Sequence, residues 1–294
     1  DPFFMMLRRS LNTFMNAFTG ADMTAYPFAT QNRKDFDNLL QVYLDATFFP
    51  LLDELDFAQE GHRVEFTNAG DLASRLEYKG VVYNEMKGAL SSPTAQLWTE
   101  VQSTLFPDTT YHFNSGGDPK VIPDLSYEQL KAFHRSHYHP SNAIFMTYGD
   151  FPVAEHHENI QRWALSEFDG QETVLSVPDV RRYKAPVKRN IRYAVASEEE
   201  VESSSHVVVA WLLGNVTNRA DLMDAYLLSS VLLENSASPL LQALETTDLG
   251  SAPSELCGIE TSFREILFCC GLEGCTASDA DSVEAMITQV LEGI

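Results

Sequence analysis

The chain has 294 residues, 44 % apolar and 11 % aromatic, which is long enough for two domains of ordinary size, each with its own core. It contains no apolar run of ~18 residues, so no segment reads as a membrane span. The net charge of −22, from 42 acidic and 20 basic residues, repels nucleic acid and anionic membranes and draws basic peptides only weakly.

The start, Asp1-Pro2-Phe3-Phe4, carries no initiator Met and no basic-then-apolar leader, and the far end stops just after a helical pattern. A processed or truncated piece of a longer chain is therefore expected. Asn16–Thr30 reads as two short strands around a Gly20-Ala21-Asp22 turn. Asn32 is placed to cap a helix with Phe36, Leu39, Leu40, Tyr43 and Thr47 on one side, closed by Pro50. Lys79–Leu90 reads as a second helix, and Asn114–Pro119 as a glycine-containing turn. Ser126-Tyr127-Glu128-Gln129 is a capping box, opening a helix expected to turn Leu130 and Phe133 inward. Ala143–Tyr148 is expected to be a buried strand.

Residues 171–192 alternate prolines with charges and read as a linker between domains, 1–170 and 193–294. Beyond it come a strand at His206–Leu213, a helix capped by Asn218 and a strand at Glu265–Leu272. A last helix opens at Ser278, with Val283, Met286, Ile287, Val290 and Leu291 along one face. Each half thus repeats a strand-then-helix unit. The expected fold class is α+β, with two homologous units, each a mainly antiparallel sheet covered by helices. The four cysteines, Cys257, Cys269, Cys270 and Cys275, lie close together in sequence; buried free thiols are expected rather than a disulfide framework.

Glu85 is the first candidate for chemistry. On the expected helix its neighbours one turn away are Val81, Val82 and Ala89, so its carboxylate projects from an apolar stripe. An ionised group in that setting needs a cation or hydrogen-bond donors. An ion pair with an arginine such as Arg63 and a bound metal are both open. His134, His137 and His139 place three imidazoles within one short stretch, enough in principle for zinc. Against this, the residue before Pro140 must leave the helix, and histidines near a helix C-terminus commonly serve the dipole. His156 and His157, flanked by Glu155 and Glu158, read as a solvated face. No phosphate-binding loop, no Gly-x-Ser-x-Gly elbow and no Cys-x-x-Cys is present, nor any His-x-x-Glu-His.

Several longer runs carry a resemblance: Arg9-Ser-Leu-Asn-Thr-Phe-Met-Asn-Ala-Phe-Thr19, Val42-Tyr-Leu-Asp-Ala-Thr-Phe-Phe-Pro50, Lys79-Gly-Val-Val-Tyr-Asn-Glu-Met-Lys-Gly-Ala89, Ser115-Gly-Gly-Asp-Pro119 and His137-Tyr-His-Pro-Ser-Asn142. With them, residues 1–294 resemble the presequence-protease branch of the pitrilysin-like, inverted-zincin metallopeptidases. The resemblance implies a pitrilysin/LuxS-like fold and hydrolysis of unfolded peptides, with one Zn2+ per complete enzyme. It implies Glu85 as a zinc ligand, with two histidines and the general base in a His-x-x-Glu-His motif upstream of Asp1, so that this chain holds no catalytic residue and is inactive alone. It implies that the edge strand at Asn16, Ala17 and Phe18 pairs with the substrate backbone. The partners implied are unfolded peptides and the remainder of the same polypeptide, without nucleic acid or membrane, in a bacterial cytoplasm or an organelle matrix. A non-catalytic scaffold or peptide-binding subunit of the same superfamily is the alternative.

Overall fold

Local hydrogen-bonding signals set most of the elements in the computed structural model, which describes residue 5 and residues 8–172, 175–195 and 201–294. Asp1–Phe4 and residues 173 and 174 of the expected linker lie outside the described residues. The chain forms two compact units, residues 1–86 with 116–176, and residues 87–115 with 177–294.

In the first unit, β1 (Asn12–Met15) pairs antiparallel with β4 (Phe28–Thr30). Nested between them, β2 (Phe18–Thr19) pairs with β3 (Thr24–Ala25), and the Gly20 N–H closes the expected turn onto the Met23 carbonyl at 2.7 Å. Asn32 caps α1 (Arg33–Phe48) as expected, its side chain accepting from the Asp35 N–H at 3.0 Å. Asp53 caps the short α2 (Glu54–Glu60) in the same way. The hairpin of β5 (Arg63–Phe66) and β6 (Leu76–Lys79) then leads into α3 (Val81–Ala89). Leu40, Leu44 and Phe48 of α1 are buried together with Ile160 and Ala164, at the end of a later helix, Val153–Trp163. Phe28, Phe36, Trp163 and Phe168 pack around them.

Two expectations fail here. The Ser126 capping box forms with both of its hydrogen bonds, and opens the helix Tyr127–His137. That helix, however, leaves Leu130 at 37 % and Phe133 at 54 % exposure. Its less exposed positions are Tyr127, Lys131, His134 and His137, and the Tyr127 hydroxyl bonds the Leu52 carbonyl while the His134 ring bonds that of Thr47. Polar anchors, rather than the two apolar side chains, set the rotation. Ala143–Tyr148, expected as a buried strand, forms no strand. Strand residues need a neighbour to pair with, and the paired strands of this unit are β1 with β4, β2 with β3 and β5 with β6.

The second unit contains α4 (Pro93–Leu105), whose Trp98 stacks on Phe263 with ring centroids 6.1 Å apart. Phe106 and Tyr111 pack on the same Phe263 ring, and the Tyr111 hydroxyl accepts from the Arg264 N–H at 3.1 Å. The long strands Ser205–Asn215 and Glu265–Cys275 pair antiparallel, Trp211 opposite Phe268, and two short strands, Ala252–Pro253 and Gly258–Glu260, flank the latter. Both long strands extend the expected ones by a few residues. Asn218 caps the helix Arg219–Leu233 as expected. Leu232, Leu240 and Leu244 form the core with Phe268, Cys270, Leu272, Cys275, Val283 and Ile287. The last helix runs Ala280–Glu292 without a side-chain cap, since the Ser278 hydroxyl meets Thr276 instead. All four cysteines are free, and Cys269, Cys270 and Cys275 are buried.

Residues 177–188 run along this unit as a strap. Val180 is buried, and its N–H donates to Glu265 Oε1 at 2.9 Å in the interior. Arg182 donates to the carbonyls of Leu212 and Leu213. Arg264 bonds the Val177 carbonyl at 3.0 Å and pairs with Asp179 at 2.8 Å. Lys188 pairs with Asp281 and Glu284 at 2.9 and 2.5 Å, which raises its pKa.

Candidate functional site

The β5–β6 hairpin sets the position of Glu85. Its register puts Arg63 opposite Lys79 and Glu65 opposite Glu77. Arg63 Nε donates to Glu65 at 2.5 Å, and Lys79 pairs with Glu77 at 3.1 Å and with Glu65 at 3.5 Å. The Arg63 hydrogen bond holds the Glu65 carboxyl below its ordinary range, and Glu77 holds the Lys79 ammonium above its own. Next in the chain is Gly80, where a Cβ would stand 2.0 Å from the Gly61 carbonyl oxygen. Only glycine permits this contact. The end of β6 is thereby seated against Gly61, two residues before β5, and the Gly80 carbonyl accepts from the Asn84 N–H at 3.0 Å to begin α3.

Glu85 lies in the middle of α3, and it is exposed, as are Val81 at 42 % and Val82 at 40 %. No residue of this helix is buried. The apolar stripe is present in the sequence, but its burial is not: the hairpin holds α3 by its first turn and leaves its sides open. The ion pair with Arg63 is also absent, because the Arg63 fork is spent on Glu65 and on the Ala58 and Gln59 carbonyls. Among the described residues no ion pair or hydrogen bond claims the Glu85 carboxylate. A free carboxylate is a hard oxygen donor suited to one position of a metal site. Among the described residues no three His, Cys, Asp or Glu gather closely enough to hold a metal on their own, so Glu85 fits as one ligand only.

The segment Asn16–Phe18 is exposed and sits where β1 passes into β2. The Asn16 N–H donates to the Pro27 carbonyl at 3.1 Å, and the Asn16 carbonyl accepts from the Tyr43 hydroxyl at 3.2 Å. The Ala17 N–H is held by the Asn16 side chain at 2.8 Å, and Phe18 pairs with Ala25 in the short ladder. Tyr43, on the buried side of α1, also donates toward the Pro27 carbonyl at 3.3 Å and so fixes the segment from behind. Burial raises the pKa of its hydroxyl further above neutrality. Tyr43 lies on the apolar face of its helix and also fixes this segment, and neither that second role nor the close contact at Gly80 is legible in the sequence. Among the described residues no hydrogen bond or ion pair joins Glu85 to the Asn16–Phe18 segment.

The three histidines are not brought together as ligands. His134 stacks on Tyr138 at 4.6 Å and bonds the Thr47 carbonyl at 2.9 Å; His137 stacks on Phe133 at 3.9 Å; buried His139 accepts the Ser141 N–H at 3.1 Å. Tyr138 in turn meets the Tyr26 hydroxyl at 3.0 Å, and burial together with that contact pushes the Tyr26 phenol far above its ordinary pKa. His157 is exposed as expected, but His156 is buried against Phe36 and Phe151, because the helix rotation that buries Ile160 also buries the position one turn before it.

Residues 124–294 match the family described as the Peptidase M16 inactive domain. The chain therefore belongs to the M16 peptidase family. Over its whole length it is 46 % identical to a protein named "Presequence protease, mitochondrial" from Xenopus laevis, and 45 % identical to one of the same name from Danio rerio. It spans 29 % of the length of each of these relatives. Among solved structures, a protease from Helicobacter pylori matches 99 % of this chain and 64 % of its own with a TM-score of 0.69 at 21 % identity. A peptidase M16 inactive domain from Pseudomonas fluorescens matches 95 % of this chain and 61 % of its own with a TM-score of 0.68 at 15 % identity. These two establish the fold: mixed helices and small antiparallel sheets.

Proposed function

We propose that residues 1–294 are part of a zinc metalloendopeptidase that degrades unfolded peptides of the presequence type, and that Glu85 is one of its zinc ligands. The observation that carries this reading is the unclaimed Glu85 carboxylate on α3, in a chain whose relatives bear the name presequence protease. Zinc bound there would supply a Lewis acid and lower the pKa of a coordinated water toward ~7. The remaining ligands, two histidines, and the general base would come from upstream of Asp1, so residues 1–294 by themselves would be inactive.

In this reading the chain's own residues hold and orient. Gly80 and the charged hairpin seat the helix that presents Glu85. Tyr43 and Pro27 fix the Asn16–Phe18 segment, whose backbone would add a substrate strand to the sheet edge without regard to side-chain sequence. The Asn16 side chain now occupies the Ala17 N–H, and it would swing aside as a peptide carbonyl takes its place. We assign the protein to an organelle matrix or a bacterial cytoplasm; the relatives' names specify mitochondria.

A second reading, a non-catalytic scaffold or peptide-binding subunit, is favoured by the description of the family matched by residues 124–294 as an inactive domain. Zinc content and peptidase turnover of the polypeptide translated from the full reading frame separate the two. Stoichiometric zinc that falls together with turnover in Glu85→Gln supports the enzyme; a metal-free, inactive polypeptide that still binds unfolded peptide supports the scaffold.

A further inference from the structure

Residues 181–192 read Arg-Arg-Tyr-Lys-Ala-Pro-Val-Lys-Arg-Asn-Ile-Arg, which puts six of the chain's 20 basic residues into one short stretch with no acid among them. In a chain of net charge −22 so dense a run of cations stands out. It lies over the second unit without helix or strand, and every residue from Arg181 to Arg192 is exposed. A few groups fasten it. The Arg181 N–H donates to Asp108 at 3.3 Å, Arg182 donates to the Leu212 and Leu213 carbonyls, and Lys188 sits between Asp281 and Glu284. Lys184, Arg189 and Arg192 join no ion pair or hydrogen bond among the described residues. Arg182, bonded only to neutral carbonyls, keeps its charge as well. Interleaved with these cations, four positions apart, Tyr183, Val187 and Ile191 are 45 %, 37 % and 41 % exposed.

We propose that residues 181–192 form a docking strip for an anionic lipid surface. A lipid headgroup layer answers both halves of the pattern: phosphates meet Lys184, Arg189 and Arg192, and the interfacial layer beneath takes up Tyr183, Val187 and Ile191. A nucleic acid would pair with the cations but leave the aliphatic Val187 and Ile191 in water. The charge of the whole molecule opposes the contact only from afar. At physiological ionic strength a field fades over about 8 Å, so the nearest charges decide. There the six cations face three paired carboxylates, Asp108, Asp281 and Glu284. The fixed ends of the strip, at Val180 and Arg182 and again at Lys188, limit the freedom lost on docking. None of this uses Glu85 or zinc, so the proposal stands apart from the peptidase reading.

Co-sedimentation of the polypeptide translated from the full reading frame with lipid vesicles is the test. Phosphatidylcholine vesicles with roughly 30 mol % phosphatidylglycerol should bind it at least ~10-fold more tightly than phosphatidylcholine alone. Salt at about 0.5 M should release it. Lys184→Gln, Arg189→Gln and Arg192→Gln together should weaken binding by about 100-fold, near 5-fold for each charge. Val187→Ser with Ile191→Ser should weaken it by roughly 10-fold. Both variants should keep the parent's urea midpoint, since the altered side chains are exposed. Equal binding to the two kinds of vesicle, or unchanged binding by the triple variant, would overturn the proposal. So would single-stranded RNA that binds more tightly than the vesicles and is indifferent to the Val187→Ser, Ile191→Ser change, which would make the partner a nucleic acid.

Discussion

Arg63 bonds Glu65, two residues along the same strand and on the same face, at 2.5 Å, and among the described residues no cation pairs with Glu85. The arginine expected as its alternative partner is engaged elsewhere. Glu85→Gln in the complete polypeptide should therefore lower zinc content and peptidase turnover together, by at least ~100-fold in turnover. In the 1–294 chain the melting temperature of this variant should hardly move, because among the described residues no hydrogen bond or ion pair of this side chain is lost. Full zinc occupancy with full turnover would reject Glu85 as a ligand. The 1–294 chain, which contains no His-x-x-Glu-His, should show no turnover when pure.

Backbone pairing at Asn16–Phe18 makes a different forecast. Ala17→Pro removes the single N–H that the Asn16 side chain now covers. If a peptide strand docks there, KM should rise by roughly 10-fold, about 1.4 kcal/mol of lost binding, with kcat nearly unchanged. An unaltered KM across several unrelated peptides would remove the segment from the binding surface.

Gly80 has no room for a side chain. Gly80→Ala would drive a methyl into the Gly61 carbonyl, 2.0 Å away, and the backbone on both sides would have to shift. A loss of about 2–3 kcal/mol is expected by urea unfolding, and α3 should exchange its amides faster. A variant as stable as the parent would mean that the contact does not constrain the hairpin.

The buried thiols tie stability to alkaline pH. Burial pushes Cys269 up to about 12, and pushes Cys270 higher still. In the unfolded chain a thiol ionises near ~8.5. Below that pH both states are protonated and these groups contribute no pH dependence. Above it the unfolded state loses its protons first, so folding stability declines as pH rises, by up to about 1.4 kcal/mol per pH unit per thiol. For Cys269 the decline ends near pH 12. Urea midpoints measured between pH 8 and 10 should fall more steeply for the native chain than for a Cys269→Ala, Cys270→Ala variant. Parallel curves would contradict the assignment.

What the sequence made legible was local. Asn32, Ser126 with Gln129, and Asn218 cap helices through bonds spanning two or three residues, and each forms as read. The Glu265–Leu272 strand is equally plain from its unbroken apolar run. Orientation was harder to read. Leu130 and Phe133 mark the expected inner face, but hydrogen bonds from Tyr127 and His134 to carbonyls far back in the chain turn the helix otherwise. Gly80 was invisible as a constraint because its partner is the Gly61 carbonyl, brought there by a hairpin whose register is set elsewhere. Glu85 stood out by its apolar neighbours in sequence and its ligand role followed from resemblance, whereas its lack of a partner among the described residues could come only from the folded chain.

The strap has a practical consequence for anyone dividing this protein. Cutting at Tyr193, where the prolines and charges end, would carry away Val177, Asp179, Val180 and Arg182. Glu265 Oε1 would then lose, in the interior, the Val180 N–H that donates to it, and Arg264 would lose its acid partner Asp179. A piece begun at Val177, and supplied with residues 87–115 so that Phe263 keeps its aromatic neighbours, retains what its interior needs. The safer cut falls sixteen residues earlier than composition alone suggests, counting from 193 back to 177.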